Sequence, residues 1–131
     1  MYLLKPGDII LVLSKYLDGI EHNKFAICVA PDYFFFFYIN SKPWNKARDA
    51  QVEVFGKLEI SCLKHTSYID TSVIQELPEN AIREAIQSRK VWKAPLSVCK
   101  RIKEVVQESK YLSPRHKKII LDSLSRRINN Y

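Results

Sequence analysis

Glycine is scarce in this chain: only Gly7, Gly19 and Gly56 occur in 131 residues. A loop that cradles a phosphate with backbone N–H groups needs several glycines close together, so a P-loop or a dinucleotide-binding loop is excluded. No GxSxG segment is present, and no Ser/His/Asp order stands out by motif. Cys28, Cys62 and Cys99 are odd in number and widely spaced, with no CxxC or Cys/His zinc spacing. Reduced thiols, a cytoplasmic setting and no metal or other cofactor are therefore expected. Long hydrophobic runs are also missing. The longest, residues 33–39, is far too short to span a bilayer. The opening MYLLKPGD lacks the basic flank, apolar stretch and cleavage site of a signal peptide, so no membrane partner is expected.

What is present fits an ordinary globular protein: 47% hydrophobic and 27% charged residues. One domain over residues 1–131 is expected, long enough to bury a core. The net charge of +7 is uneven. Residues 1–88 hold nine Lys/Arg and eleven Asp/Glu, a net −2, while residues 89–131 hold twelve and three, a net +9. A basic C-terminal third suits a polyanion or an acidic protein partner, and equally a solvated basic helical face.

The pattern along the chain changes once. Pro6-Gly7-Asp8 signals a turn, and residues 9–13 (IILVL), 24–30 (KFAICVA) and 33–40 (YFFFFYIN) read as buried strands, the last two paired as a hairpin. A polar loop follows at 41–50 (SKPWNKARDA). Residues 51–55 (QVEVF) alternate as a half-exposed strand, and 58–63 continue it or form another. From residue 78 the period becomes helical. Ile82, Ala85 and Ile86 mark a first helix. Val98, Ile102, Val105 and Val106 mark a second, opened by Pro95. Ile120, Leu121, Leu124 and Ile128 mark a third, capped by Ser113-Pro114. Strands first and helices after imply an α+β fold: a small, strongly curved antiparallel sheet or barrel over residues 1–77, with the helices of 78–131 on one side.

Two polar clusters can carry chemistry. One is Glu21-His22-Asn23-Lys24 at the start of the second strand. The other is KHTSYIDTS, residues 64–72, which crowds a cation, an imidazole, four hydroxyls besides the tyrosine's and a carboxylate around Ile69. Each has a histidine that exchanges a proton near neutral pH and a lysine that can neutralise phosphate. Together with Asp70 they supply two proton-handling groups and cationic stabilisation, if the fold brings them together. The alternatives are plain ones. His22 can be a surface residue, His65 can cap a turn, and Asp70 can cap the turn at Thr71-Ser72. Trp44 can stack a base or fold onto the sheet edge. Cys28 and the aromatic run 34–37 read as core.

The ordered set PGDII at 6–10, FAICVA at 25–30, YINS at 38–41 and SYIDTSVIQELP at 67–78 resembles the PemK/MazF toxins. The resemblance covers roughly residues 5–108. It implies an SH3-like barrel with C-terminal helical structure, often dimeric, and a toxin of a toxin–antitoxin pair. It further implies metal-independent cleavage of single-stranded RNA, with the 2′-hydroxyl as nucleophile. Carried over by position, His22 takes the place of the first-loop histidine and Asp70 that of the late-strand aspartate. The family's arginine position falls on Tyr68, and Asn23-Lys24-Phe25 stands where that family has an arginine-proline pair. The segment from Ser113 to the end extends beyond the usual family length.

The leading expectation is thus a metal-independent endoribonuclease with His22 and Asp70 as acid–base pair. Lys24, Lys64, His65 and Ser67 would hold the phosphate, and Tyr68 would hydrogen-bond it or stack a base. Single-stranded RNA and a cognate antitoxin are the expected partners, with a homodimer possible. The alternative is a non-catalytic module that binds nucleic acid or protein on the same scaffold. A third reading is a protein-poisoning toxin of the gyrase-inhibitor type acting through the last helix.

Overall fold

The computed structural model describes residues 3–130. Residues 1–2 and 131, the ends of the expected single domain, lie outside the described residues. The strands are β1 (Asp8–Val12), β2 (Lys24–Ala30), β3 (Phe35–Asn40), β4 (Gln51–Val54), β5 (Ser67–Asp70), β6 (Gln75–Glu76) and β7 (Val91–Lys93). The helices are α1 (Glu79–Gln87), between β6 and β7, then α2 (Leu96–Gln107) and α3 (Pro114–Asn129). The fold is α+β, with one seven-stranded antiparallel sheet in the order β4-β5-β3-β2-β1-β7, and β6 also on β3.

β3 is the pivot of this sheet. On one edge it pairs with β2, Phe37 opposite Ile27. On the other it pairs with β5 at one end, Ile39 opposite Ile69, and with β6 at the other, Phe36 opposite Gln75. Side chains alternate across a strand, and in β1–β3 both faces are apolar. Ile9, Ile27, Phe37, Ile39 and Ile69 point to one side, where they meet Val98, Ile102 and Val106 of α2 and Ile120 and Leu124 of α3. Ile10, Ala26, Cys28 and Phe36 point to the other, where they meet Ala81, Ile82 and Ala85 of α1. The expectation of helices on one side is therefore corrected: α1 covers one face while α2 and α3 cover the opposite one. Unbroken apolar runs such as IILVL and YFFFFYI are the mark of strands buried on both faces.

The sheet is not closed or strongly curled. Among the described residues β4 and β7, its two ends, each pair with one neighbour only. Two short strands have no counterpart in the expected pattern. β6 is too short for periodicity to register. β7 completes the far edge, with Trp92 opposite Ile9 and packed edge-on to Phe25 at 5.5 Å. Residues 58–63 are corrected as well. They form no strand: Leu58 ends a 3-10 turn begun at Gly56, and residues 59–63 follow it without regular structure. Ser113 caps α3 by accepting the His116 N–H at 3.2 Å, with Pro114 in the first turn, as its sequence predicts.

Ile102 is fully buried in the contact between α2 and the sheet, whereas Leu58 is 92% exposed. Ile102→Ala is expected to cost about 2–5 kcal/mol, and Leu58→Ala to stay within about 0.5 kcal/mol. Urea unfolding followed by circular dichroism measures both, and equal losses would contradict the packing of α2 on the sheet.

Candidate functional site

At one end of the sheet, three segments leave an open cleft of about 650 Å³. The first is the entry to β2, carrying His22, Asn23, Lys24 and Phe25. The second is the exit of β3, carrying Ile39, Asn40, Ser41 and Lys42. The third is residues 62–65 with Ser67, which opens β5. Antiparallel pairing brings them together: β2 begins where β3 ends, and β5 begins beside the end of β3. The lining holds Lys24, Lys42 and Lys64, His22 and His65, and no aspartate or glutamate.

The walls are fixed by local bonds. Asn23 accepts the Ser14 N–H at 2.9 Å, which pins the His22 loop to the end of β1. Lys24 donates to the Asn40 side-chain oxygen, and its Nζ lies 5.5 Å from the centre of the Tyr38 ring. Burial lowers the Lys24 ammonium pKa, while attraction from Asp70 opposes that shift. On the far wall the Ser67 hydroxyl donates to the His65 carbonyl at 3.0 Å. His65 Nδ1 lies 3.0 Å from the Thr66 carbonyl. A carbonyl only accepts, so in this bond Nδ1 carries the proton and Nε2 is the basic nitrogen. Gly56 backs this wall. Its φ is +57°, and a Cβ there would stand 2.9 Å from the His65 carbonyl carbon.

Five of the seven residues singled out from sequence line this one cleft: His22, Lys24, Lys64, His65 and Ser67. Tyr68 and Asp70 do not line it. Tyr68 lies opposite Asn40 and Glu53. Asp70 Oδ1 accepts from Gln51 Nε2 at 3.0 Å, the Ser72 N–H at 3.0 Å and the Ser72 hydroxyl at 2.6 Å. Its carboxylate therefore caps the turn after β5, the plain alternative open to it from sequence. Asn40, Ser41 and Lys42 were not foreseen, since a polar loop following a strand carries no signal of where its side chains point. Cys62 also lines the cleft, and burial pushes its thiol up to about 11, which keeps it protonated at neutral pH.

Among the described residues no group of three or more His, Cys, Asp or Glu side chains is arranged to hold a metal ion. No helix of the described residues is long and apolar enough to cross a membrane. Comparison with protein-family models, curated proteins and solved structures finds no significant match for this chain.

Two outcomes follow from these contacts. Gly56→Ala forces a side chain into left-handed backbone and against the His65 main chain, and is expected to cost at least about 1 kcal/mol. Crosspeak shifts at residues 64–67 in an amide NMR spectrum would register the displaced wall, and unchanged peaks would contradict the contact. For Lys24, the unfolded chain titrates near 10.5 and the folded chain lower. Between those values the unfolded state binds the extra proton, so this group's burial penalty is fully present at neutral pH and fades as pH rises. Lys24→Met is thus expected to match or exceed the wild type in urea at pH 7, with its advantage shrinking by pH 10. An advantage that grows with pH would reverse that sign.

Proposed function

We propose that the protein binds single-stranded RNA through this cleft and cleaves it by 2′-hydroxyl attack without a metal, as a toxin of the PemK/MazF kind held in check by a cognate antitoxin. The observation that supports this reading most is the cleft's charge. Three lysines and two histidines line it with no carboxylate among them, although residues 1–88 carry a net −2. Cations gathered against the local balance suit a phosphate backbone. The SH3-like relationship is proposed for β1–β5, whose antiparallel order supports it, with the sheet left open by the helices on both faces.

The chemistry needs a base to take the 2′-hydroxyl proton and an acid to protonate the departing 5′-oxygen as the new O–P bond forms. His65, with Nε2 as its basic nitrogen, and His22 are the two such groups on the cleft. The products are a 2′,3′-cyclic phosphate and a 5′-hydroxyl. Lys24 and Lys64 stabilise charge on the phosphate oxygens, where lysine acts as a point charge rather than as arginine's fork. Asp70 acts at a distance: its charge favours the protonated form of Lys24. A second reading, a non-catalytic RNA-binding module, is favoured by the three donors that already occupy Asp70 Oδ1.

The test is a long single-stranded RNA incubated with the protein in EDTA, beside His22→Ala, His65→Ala and Asp70→Asn. Discrete cuts ending in cyclic phosphate are expected, reduced about 100-fold or more in each histidine variant and retained within about tenfold in Asp70→Asn, whose amide oxygen still accepts. RNA that is bound but intact would select the second reading. Binding is expected to weaken with salt, each cleft lysine replaced by alanine reducing the log–log slope by about 0.7. A slope indifferent to those lysines would remove the cleft from RNA binding.

A further inference from the structure

Trp44 lies in the connection between β3 and β4, two residues beyond Lys42 of the cleft, and 45% of its surface is exposed. Two residues of extended chain span at most about 7 Å, so the indole is within reach of a strand lying in the cleft. The chain's other tryptophan, Trp92, packs against Phe25. Trp44 has no aromatic or cation–ring contact among the described residues. An exposed indole without a ring partner forgoes the burial that so large an apolar group ordinarily gains.

Its backbone is nonetheless held. The Trp44 N–H donates to Gln51 Oε1 at 3.3 Å, and Gln51 Nε2 in turn donates to the Ala47 carbonyl at 3.1 Å and to Asp70 Oδ1 at 3.0 Å. Ala47 and Ala50 are buried anchors of the same turn, and the Ala50 carbonyl accepts from Thr71 Oγ1 at 2.7 Å. Trp44 is thus a part-exposed indole on a backbone held by these bonds, and the exposed cations Lys42, Lys46 and Arg48 lie within four residues of it along the chain. A single strand presents both things this surface offers to meet, a phosphate chain and unpaired base faces.

We propose that Trp44 is a nucleobase-stacking subsite adjoining the cleft, which selects single-stranded RNA with accessible bases over a bare phosphate chain. Asp70 and Gln51 are positioning residues for it, acting through the Trp44 backbone. The subsite rests on the RNA-binding reading of the cleft and adds a base-dependent component to it. Every base has a π-face, so the preference is for bases as such and not for a sequence.

The experiment compares a labelled oligouridylate with an abasic sugar–phosphate strand of the same length and charge, at one salt concentration, by fluorescence anisotropy. The wild type is expected to bind the base-bearing strand about 5- to 100-fold more tightly. Trp44→Ala is expected to lose that factor on the base-bearing strand alone, and Trp44→Phe to recover most of it. In Trp92→Phe, which leaves Trp44 as the sole indole, quenching by the base-bearing strand but not by the abasic one reads the contact without altering Trp44. Equal weakening on both strands, or no quenching, would overturn the stacking role and leave the cleft reading standing. A wild type that binds neither strand would overturn both.

Discussion

Phe36 and Phe37 are neighbours in β3, both fully buried, and alternation sends them to opposite faces of the sheet. Much else in the molecule depends on that pair. One faces α1 and the other faces α2 and α3, so the middle of the sheet is enclosed on both sides by apolar contact, the main favourable term in folding. β3 has no free edge along most of its length, being paired to β2 on one side and to β5 and β6 on the other. A strand enclosed in this way leaves polar chemistry only its ends, and the cleft lies at such an end.

The physical character of the cleft follows from its position. Its lining residues are the first or last residues of β2, β3 and β5 and the loop residues that adjoin those ends. Lys24 shows the result. It is the first residue of β2, its ammonium is partly desolvated against Tyr38 and bonded to a neutral amide, and the pKa falls accordingly. A cation kept partly dry without a bonded carboxylate gains when an anion arrives, which is how binding sites commonly sacrifice stability for function. On the opposite wall Gly56 lies against the His65 backbone, where there is no room for a Cβ.

Asp70 illustrates how hydrogen-bond partners at the end of a short strand decide a role. Ser67 is buried and lines the cleft, and Ile69 is buried in the main core, while Tyr68 and Asp70 take the alternate positions. In the sequence the nine residues KHTSYIDTS form one polar cluster, but alternation sends Ser67 and Ile69 to one face of the sheet and Tyr68 and Asp70 to the other, the face that Lys24 and Asn40 share. Lys64, His65 and Ser67 line the cleft with His22 and Lys24. Asp70 joins Gln51 in holding the turn that carries Trp44.

Local pattern was enough to specify the α+β class, the three buried strands, the hairpin of β2 and β3, the three helices with the Ser113 cap, and the basic bias of the C-terminal third. Each of these depends on periodicity or on side chains within one turn of each other, and such signals survive in a one-dimensional string. The open sheet, the helices on both of its faces, the added strands β6 and β7, and the placing of His22 and His65 on one cleft were decided by tertiary structure alone. They depend on which edges pair and in what register, a matter of contacts between residues tens of positions apart. Two histidines forty-three positions apart in the chain line one cleft because β3 accepts β2 on one edge and β5 on the other.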